Sequence, residues 1–154
     1  VILAAALALA ACGGGASPSP PVATPTPAPL PEASFTGGTA MASLELPAEV
    51  EWRGGWCGRG TGDAWLAVNI GHPNGAEYFG LVVGRSPHTP AATRTASGGG
   101  TFAGDDAVIT WRHAGTVANV VSTGLVVELA PNLSEGTFEG LLADGTEVRG
   151  TFSC

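Results

Sequence analysis

AWLAVNIGHPNGAEYFGLVVG, residues 64–84, decides the fold. Ala64, Leu66, Val68 and Ile70 recur at every second position, the spacing that lines one face of a β-strand. Asn74 and Gly75 then supply a turn. Phe79, Leu81 and Val83 resume the alternation on the way back, so the stretch predicts a β-hairpin with one apolar face.

The same period continues on both sides. Upstream, Ala40, Ala42, Leu44 and Leu46 alternate with Met41, Ser43 and Glu45, and Val50 and Trp52 alternate with Glu51 and Arg53. Downstream, residues 85–99 read as a loop, with Pro87, Pro90 and three closing glycines. Strands resume at Thr101–Phe102. Ala107, Ile109, Trp111 and His113 then share a face, Ala114–Gly115 turns into 116–122, and Leu125, Val127 and Leu129 form the next face. No segment of useful length carries a helical period. The expected fold is therefore all-β, an antiparallel β-sandwich of about eight to ten strands.

Burial sets the register of the last hairpin. Phe138 and Leu142 face one way on its first arm; Val148, Phe152 and Cys154 face one way on its second. A two-residue Asp144–Gly145 loop would put these sets on opposite faces. A three-residue loop, 143–145, puts them together and leaves Gly145 where a positive φ is needed. The three-residue loop is expected. Gly-Thr-Phe recurs at 100–102, 136–138 and 150–152 with irregular spacing, which reads as repeated strand-entry chemistry.

The N-terminal residues have a different character. Val1–Ala11 is an unbroken apolar run, far shorter than the ~20 residues of a membrane span, and it ends in Leu9-Ala10-Ala11-Cys12. Small residues before a cysteine at the end of a short apolar segment have the form of a bacterial lipobox. Residues 1–11 read as the remnant of a signal peptide without its usual basic leader: either that leader precedes Val1, or Val1 is the product of a non-standard start codon. Cys12 is then the lipidation site and the membrane hold. Residues 12–33 follow as a Gly/Pro/Ser/Thr-rich tether (ASPSPPVATPTPAPLPEA from Ala16), without any apolar face and extended by its prolines. Ser17, Ser19, Thr24 and Thr26 beside prolines fit either an O-glycosylated stalk or an unmodified spacer. Residues 34–154 form the β-domain.

Three cysteines are an odd number for an exported chain. Lipidation of Cys12 leaves Cys57 and Cys154, which an oxidising compartment would join. Six basic residues, all Arg and dispersed, face thirteen acidic ones for a net charge of −7. That balance argues against nucleic acid and against electrostatic docking on anionic lipid.

The LAAC motif, the Ser/Thr/Pro/Ala tether, Cys57 before GRGTGD, the strand WLAVNIG at 65–71 and the terminal EVRGTFSC at 147–154 together resemble the small bacterial lipoprotein antigens typified by the mycobacterial nineteen-kilodalton antigen. The resemblance covers about half of the chain. It departs in Trp52, Trp56, Trp65, Trp111 and the loop 85–99. It implies an all-β, lipid-anchored, disulfide-closed protein of the cell envelope, known for recognition and adhesion rather than a reaction. It carries over no catalytic residue.

Reactive constellations are thin. His72, His88 and His113 have no zinc-ligand spacing. Gly84-Arg85-Ser86-Pro87-His88 is not a nucleophile elbow. Gly58-Arg59-Gly60-Thr61-Gly62 lacks the Lys-Ser/Thr ending of a phosphate loop. Asp105–Asp106 reads as a turn, and Asn132-Leu133-Ser134 as a sequon without use in a bacterial lipoprotein. The chain is expected to be no enzyme and to need no metal or cofactor. Trp56, beside Cys57, is the expected packing residue. Trp65 and Trp111 are the ligand-binding candidates, since an exposed indole stacks on sugar rings. The expected role is a lipid-anchored, monomeric envelope protein whose domain meets a protein or glycan partner. The alternative is an envelope module that binds a carbohydrate or apolar ligand through Trp65 and the loop 85–99.

Overall fold

Burying alternate side chains on one side of a strand leaves that side in need of cover, and here a single sheet covers itself by curling. The computed structural model describes residues 33–154, with side chains from Gly38 onward. The apolar segment 1–11, Cys12 and the tether as far as residue 32 lie outside the described residues.

Ten strands follow in order: β1 (Ala33–Leu46), β2 (Val50–Gly60), β3 (Trp65–Gly71), β4 (Tyr78–Gly84), β5 (Gly100–Ala103), β6 (Ala107–His113), β7 (Thr116–Asn119), β8 (Val126–Leu129), β9 (Glu135–Leu141) and β10 (Glu147–Ser153). All pairings are antiparallel, in the order β5-β8-β9-β10-β1-β2-β3-β4-β6-β7. The all-β antiparallel fold holds. In place of two stacked sheets there is one curled sheet, a half-barrel. Strict alternation serves a sandwich and a curled sheet equally well, so the pattern alone does not separate them.

The two ends of the sheet are tied by one bent hairpin. Gly100 pairs with Leu129 and Ala103 with Val126; seven residues further on one arm and seven back on the other, Thr110 pairs with Asn119. The register is therefore continuous from β5/β8 into β6/β7. At the corner each arm makes a short 3-10 turn, Gly104–Asp106 and Ser122–Gly124. Gly104 N still donates to Leu125 O (3.1 Å) and Val120 N to Ile109 O (3.2 Å) on either side of it. One half of the hairpin adds to β4 and the other to β9.

The curl brings opposite walls into contact. Trp52 on β2 packs on Phe79 of β4 (ring centroids 5.5 Å apart), and Phe79 packs on Phe138 of β9 (5.8 Å). Leu66, Val68, Leu81, Val83, Phe102, Ile109 and Val127 fill the space around them, all fully buried. A side chain of this size contributes roughly 1.5–3 kcal/mol on burial.

The last hairpin has the expected three-residue loop. Leu142 N donates to Thr146 O (2.9 Å), Gly145 has φ 85°, and Phe138, Val148 and Phe152 are all buried. The Gly-Thr-Phe echo has a different meaning from strand entry. Gly136 pairs with Phe152, Thr137 with Thr151, and Phe138 with Gly150. Each Phe ring lies over the other strand's glycine, where a Cβ would collide with it. Two copies of the tripeptide thus form one reciprocal cross-strand unit.

Cys57 and Cys154 are joined by a disulfide, with Cα atoms 5.7 Å apart and a sequence separation of 97. In the chain-entropy account a loop of that size is worth about 4–5 kcal/mol. The double variant Cys57→Ala/Cys154→Ala should lose about 4 kcal/mol in urea unfolding. A variant midpoint equal to that of the parent would show that the bond adds nothing to stability.

Candidate functional site

Alternation that fills the interior also decides which side chains point out, so the candidate surfaces follow from the register. β2 changes parity on the way. Between Gly55 and Arg53 it carries one residue more than β1, and this extra residue, Gly54, has φ 83°. Such a bulge reverses which positions face inward. Trp52 before it and Cys57 after it are both buried. Trp56 consequently points out and is 39% exposed. The expectation that Trp56 packs beside the disulfide is corrected: neighbours on a strand face opposite ways.

Trp111 is corrected as well. It lies on the inward side of β6 with Ala107 and Ile109, is 5% exposed, and offers no binding surface. Trp65 does point outward from β3 and is partly exposed. Its indole lies across Gly60, where no Cβ could fit beneath it, and its Nε1 has no hydrogen-bond partner.

The loop 85–99 is drawn in rather than held open. Ser86, Thr89, Ala92 and Ala96 are buried. Thr89 Oγ1 donates to Gly84 O (2.5 Å) and lies 2.8 Å from Ser86 Oγ, which also accepts from His88 N (3.1 Å). Ser86 is thereby part of a turn. Asp106 Oδ1 accepts from Thr93 N (2.7 Å) and Arg94 N (3.2 Å), so that residue anchors the loop. Arg94 stacks its guanidinium 4.7 Å from the centre of the Phe102 ring and donates to Thr101 O at the β5 edge. Arg59 donates to the carbonyls of Asn132 (3.1 Å) and Leu133 (2.8 Å), which fixes the sequon turn. Among the described residues no group of His, Cys, Asp and Glu could hold a metal ion, and no helix is long and apolar enough to cross a membrane.

The outer surface divides by chemistry. Where β8, β9, β10, β1 and the start of β2 face out, Glu45, Glu51, Glu128, Glu135, Glu139 and Glu147 are exposed. Arg53 pairs with Glu51, and Arg149 Nε lies 3.5 Å from Glu45. Hydroxyls run between them: Ser43 Oγ is 2.9 Å from Thr151 Oγ1, and Thr101 donates to Glu128 (2.7 Å). A shallow depression of about 340 Å³ lies here, lined by Met41, Ser43, Glu51, Glu135, Thr137 and Thr151 among others.

The remaining outer face, across the end of β2 and β3, β4, β6 and β7, presents Trp56, Trp65, Asn69, Tyr78, Thr110 and Asn119 over Gly58, Ala67, Gly80 and Val82. Arg112 is its one charged strand residue among those described. Tyr78 donates to Asn69 Oδ1 (2.8 Å), and its phenol lies over Gly80. Partial burial raises the pKa of this phenol, which keeps it a donor. Asn69 and Tyr78 were not among the candidates read from sequence. The available signal was their place on the polar side of the hairpin 64–84.

At the rim, Glu77 accepts from Ala114 N (2.9 Å) and lies 3.0 Å from His113 Nδ1. The Ala114 N–H, then His113, lower the Glu77 pKa below the ordinary carboxylate range. Trp52 assists only weakly, since its Nε1 closes no full hydrogen bond. The His113 ring also stands edge-on to Trp52, at 6.5 Å.

A carboxylate whose pKa is lowered by folding stabilises the native state above its unfolded pKa, and that contribution disappears as pH falls through the folded value. The parent should therefore melt higher than Glu77→Gln at neutral pH. The gap should narrow as pH drops through ~4 and below. A gap in Tm that stays constant from pH 7 to pH 3 would contradict this role for Glu77.

No family model, no curated protein and no solved structure matches this chain, so the assignment of its surfaces rests on its own residues.

Proposed function

We propose that this protein is a lipid-anchored lipoprotein of the cell envelope, held to the membrane through a lipid on Cys12, whose β-domain is displayed outside the cytoplasm as a monomer and acts by contact rather than by a reaction. The observation that carries the reading is the Cys57–Cys154 disulfide, which belongs to an oxidising compartment and leaves Cys12 as the third and unpaired cysteine. The LAAC motif and the tether supply the attachment.

The direction of the chain supports display. β1 begins at Ala33, directly after the tether, and runs towards Leu46; β10 returns to Cys154. The tether therefore joins the domain at the end where 61–64, 85–99 and 130–134 connect the strands. The turns at 47–49, 72–77, 114–115 and 142–146 lie at the other end of the domain.

The contact reading is also favoured by where the polar chemistry lies. The interior is occupied by Trp52, Phe79 and Phe138, and the distinctive side chains are on outer faces. The His113 ring at the rim is engaged with the Glu77 carboxylate.

In detergent phase partition the full-length chain should enter the detergent phase, and mass spectrometry should find acyl chains on a peptide that begins at Cys12. Cys12→Ser should remain in the aqueous phase with residues 1–11 attached. Parent protein that stays aqueous, with Ala11–Cys12 uncleaved, would refute the lipid anchor.

A further inference from the structure

The outer face between Trp65 and Tyr78 combines three properties that point to one class of ligand. The first is the near absence of charge. The chain has nineteen charged side chains, six basic and thirteen acidic. Arg112 is the one that the described outward positions of β3, β4, β6 and β7 carry. The protein is otherwise strongly acidic, so a cationic partner would be drawn to the glutamate-rich side and an anionic one repelled by the molecule as a whole. A face without that field suits a neutral ligand.

The second is the posture of the rings. The Trp65 indole lies across Gly60 and the Tyr78 phenol across Gly80, each on a glycine of the next strand or its own. Rings laid along a sheet present their π-faces outward, and such faces pack against the C–H side of a sugar ring. Two outward side-chain rows lie between the Trp65 and Tyr78 rows, a backbone spacing of about 20 Å at ~3.3 Å per residue, which fits several linked sugar rings.

The third is a set of hydrogen-bonding groups between the rings. Asn69 uses Oδ1 to accept from Tyr78, which leaves its amide N–H groups as donors. Thr110 donates to Asn119 Oδ1 (2.7 Å), which likewise leaves the Asn119 amide N–H groups. Trp65 Nε1 and Arg112 Nε are buried from solvent and are not among the donors that a ligand on this face would meet. The unspent amide donors of Asn69 and Asn119, beside flat rings on a surface with one charged strand residue, match a ligand rich in hydroxyl acceptors and poor in charge.

We infer that this face binds a neutral glycan chain, with Trp65 and Tyr78 as stacking platforms and Asn69, Thr110, Asn119 and Arg112 as hydroxyl contacts. The inference deepens the contact role proposed above by naming the partner class. It does not depend on the lipid. A failed lipid assay leaves it standing, and its own failure leaves the anchor standing.

The test is affinity electrophoresis of the full chain carrying Cys12→Ser in gels containing soluble mannan, arabinogalactan, galactomannan or dextran, with alginate as the acidic comparison. At least one neutral polysaccharide should retard the protein, and alginate should not. Trp65→Ala and Tyr78→Ala should each weaken that retardation about tenfold or more, whereas Tyr78→Phe should keep most of it. Thr137→Ala, on the acidic face, should change nothing. Formation of the Cys57–Cys154 disulfide and an unchanged near-UV CD spectrum verify folding. If either alanine variant fails to fold, the surface variants Asn69→Ser and Asn119→Ser take its place, each with an expected loss of several fold. The inference is overturned by no retardation in any neutral gel, by retardation that survives the face variants, or by an equal loss in Thr137→Ala.

Discussion

Gly54 is the point on which the interior depends. Trp52 and Cys57 are five residues apart on one strand, and strict alternation puts residues at an odd separation on opposite faces. The extra residue at Gly54 reverses the parity between them, so that both point inward. Trp52 then reaches Phe79, and through it Phe138, while Cys57 reaches Cys154. Its φ of 83° is readily available only to a residue without a Cβ. On β1, opposite the bulge, Gly38 and Thr39 are also unpaired, so the strand pair bends where both backbones loosen. The curl that lets one sheet cover its own core begins there.

The second device is the bent hairpin of β5–β8. A ten-stranded sheet with free edges invites pairing with other chains. Here both edge strands are arms of the same hairpin, and its corner carries one arm past the other half of the sheet. The β5 edge is further engaged by Arg94, whose guanidinium bonds Thr101 O and stacks on Phe102. The connection that leads to it is pinned by Asp106. Asp106 of the acidic pair and Ser86 of the Ser-x-His stretch thus help to close the fold. Ser86 Oγ and Asp106 Oδ1 each accept from two backbone N–H groups, which holds the connection 85–99 in place.

The strand pattern was legible because one-sided burial writes itself as period two, and the hairpin at 64–84 and the register of the last hairpin follow from it directly. The curl was not, because a side chain that faces a second sheet and one that faces its own sheet's opposite wall are chosen by the same apolar pressure. The two tryptophan corrections have separate causes. Nearness to Cys57 in sequence suggests packing for Trp56, whereas neighbours on a strand are separated by the sheet itself. The chemistry of an indole suggests a ligand contact for Trp111, but its parity with Ala107 and Ile109 puts it inside. The Gly-Thr-Phe echo shows the reverse case. Its meaning lies in the pairing of 136–138 with 150–152, and only the register shows that each Phe fills the gap above the other's glycine.

Function on this fold has to be sought on the outside, because the curl that builds a stable core also fills it. The outward positions are free of the packing constraint, so their composition reflects solvent or partners. That composition is not uniform: carboxylates and hydroxyls occupy the side of β8–β9–β10–β1, while rings, amides and glycines occupy the side of β3–β4–β6. Solubility alone accounts for the first, since dispersed negative charge keeps a tethered domain in solution. It does not account for the second. Partly exposed rings laid over glycines, with the exposed Val108 and Val117 and the amides beside them, make a surface with little charge to favour water, the kind of patch that marks contact sites on other proteins.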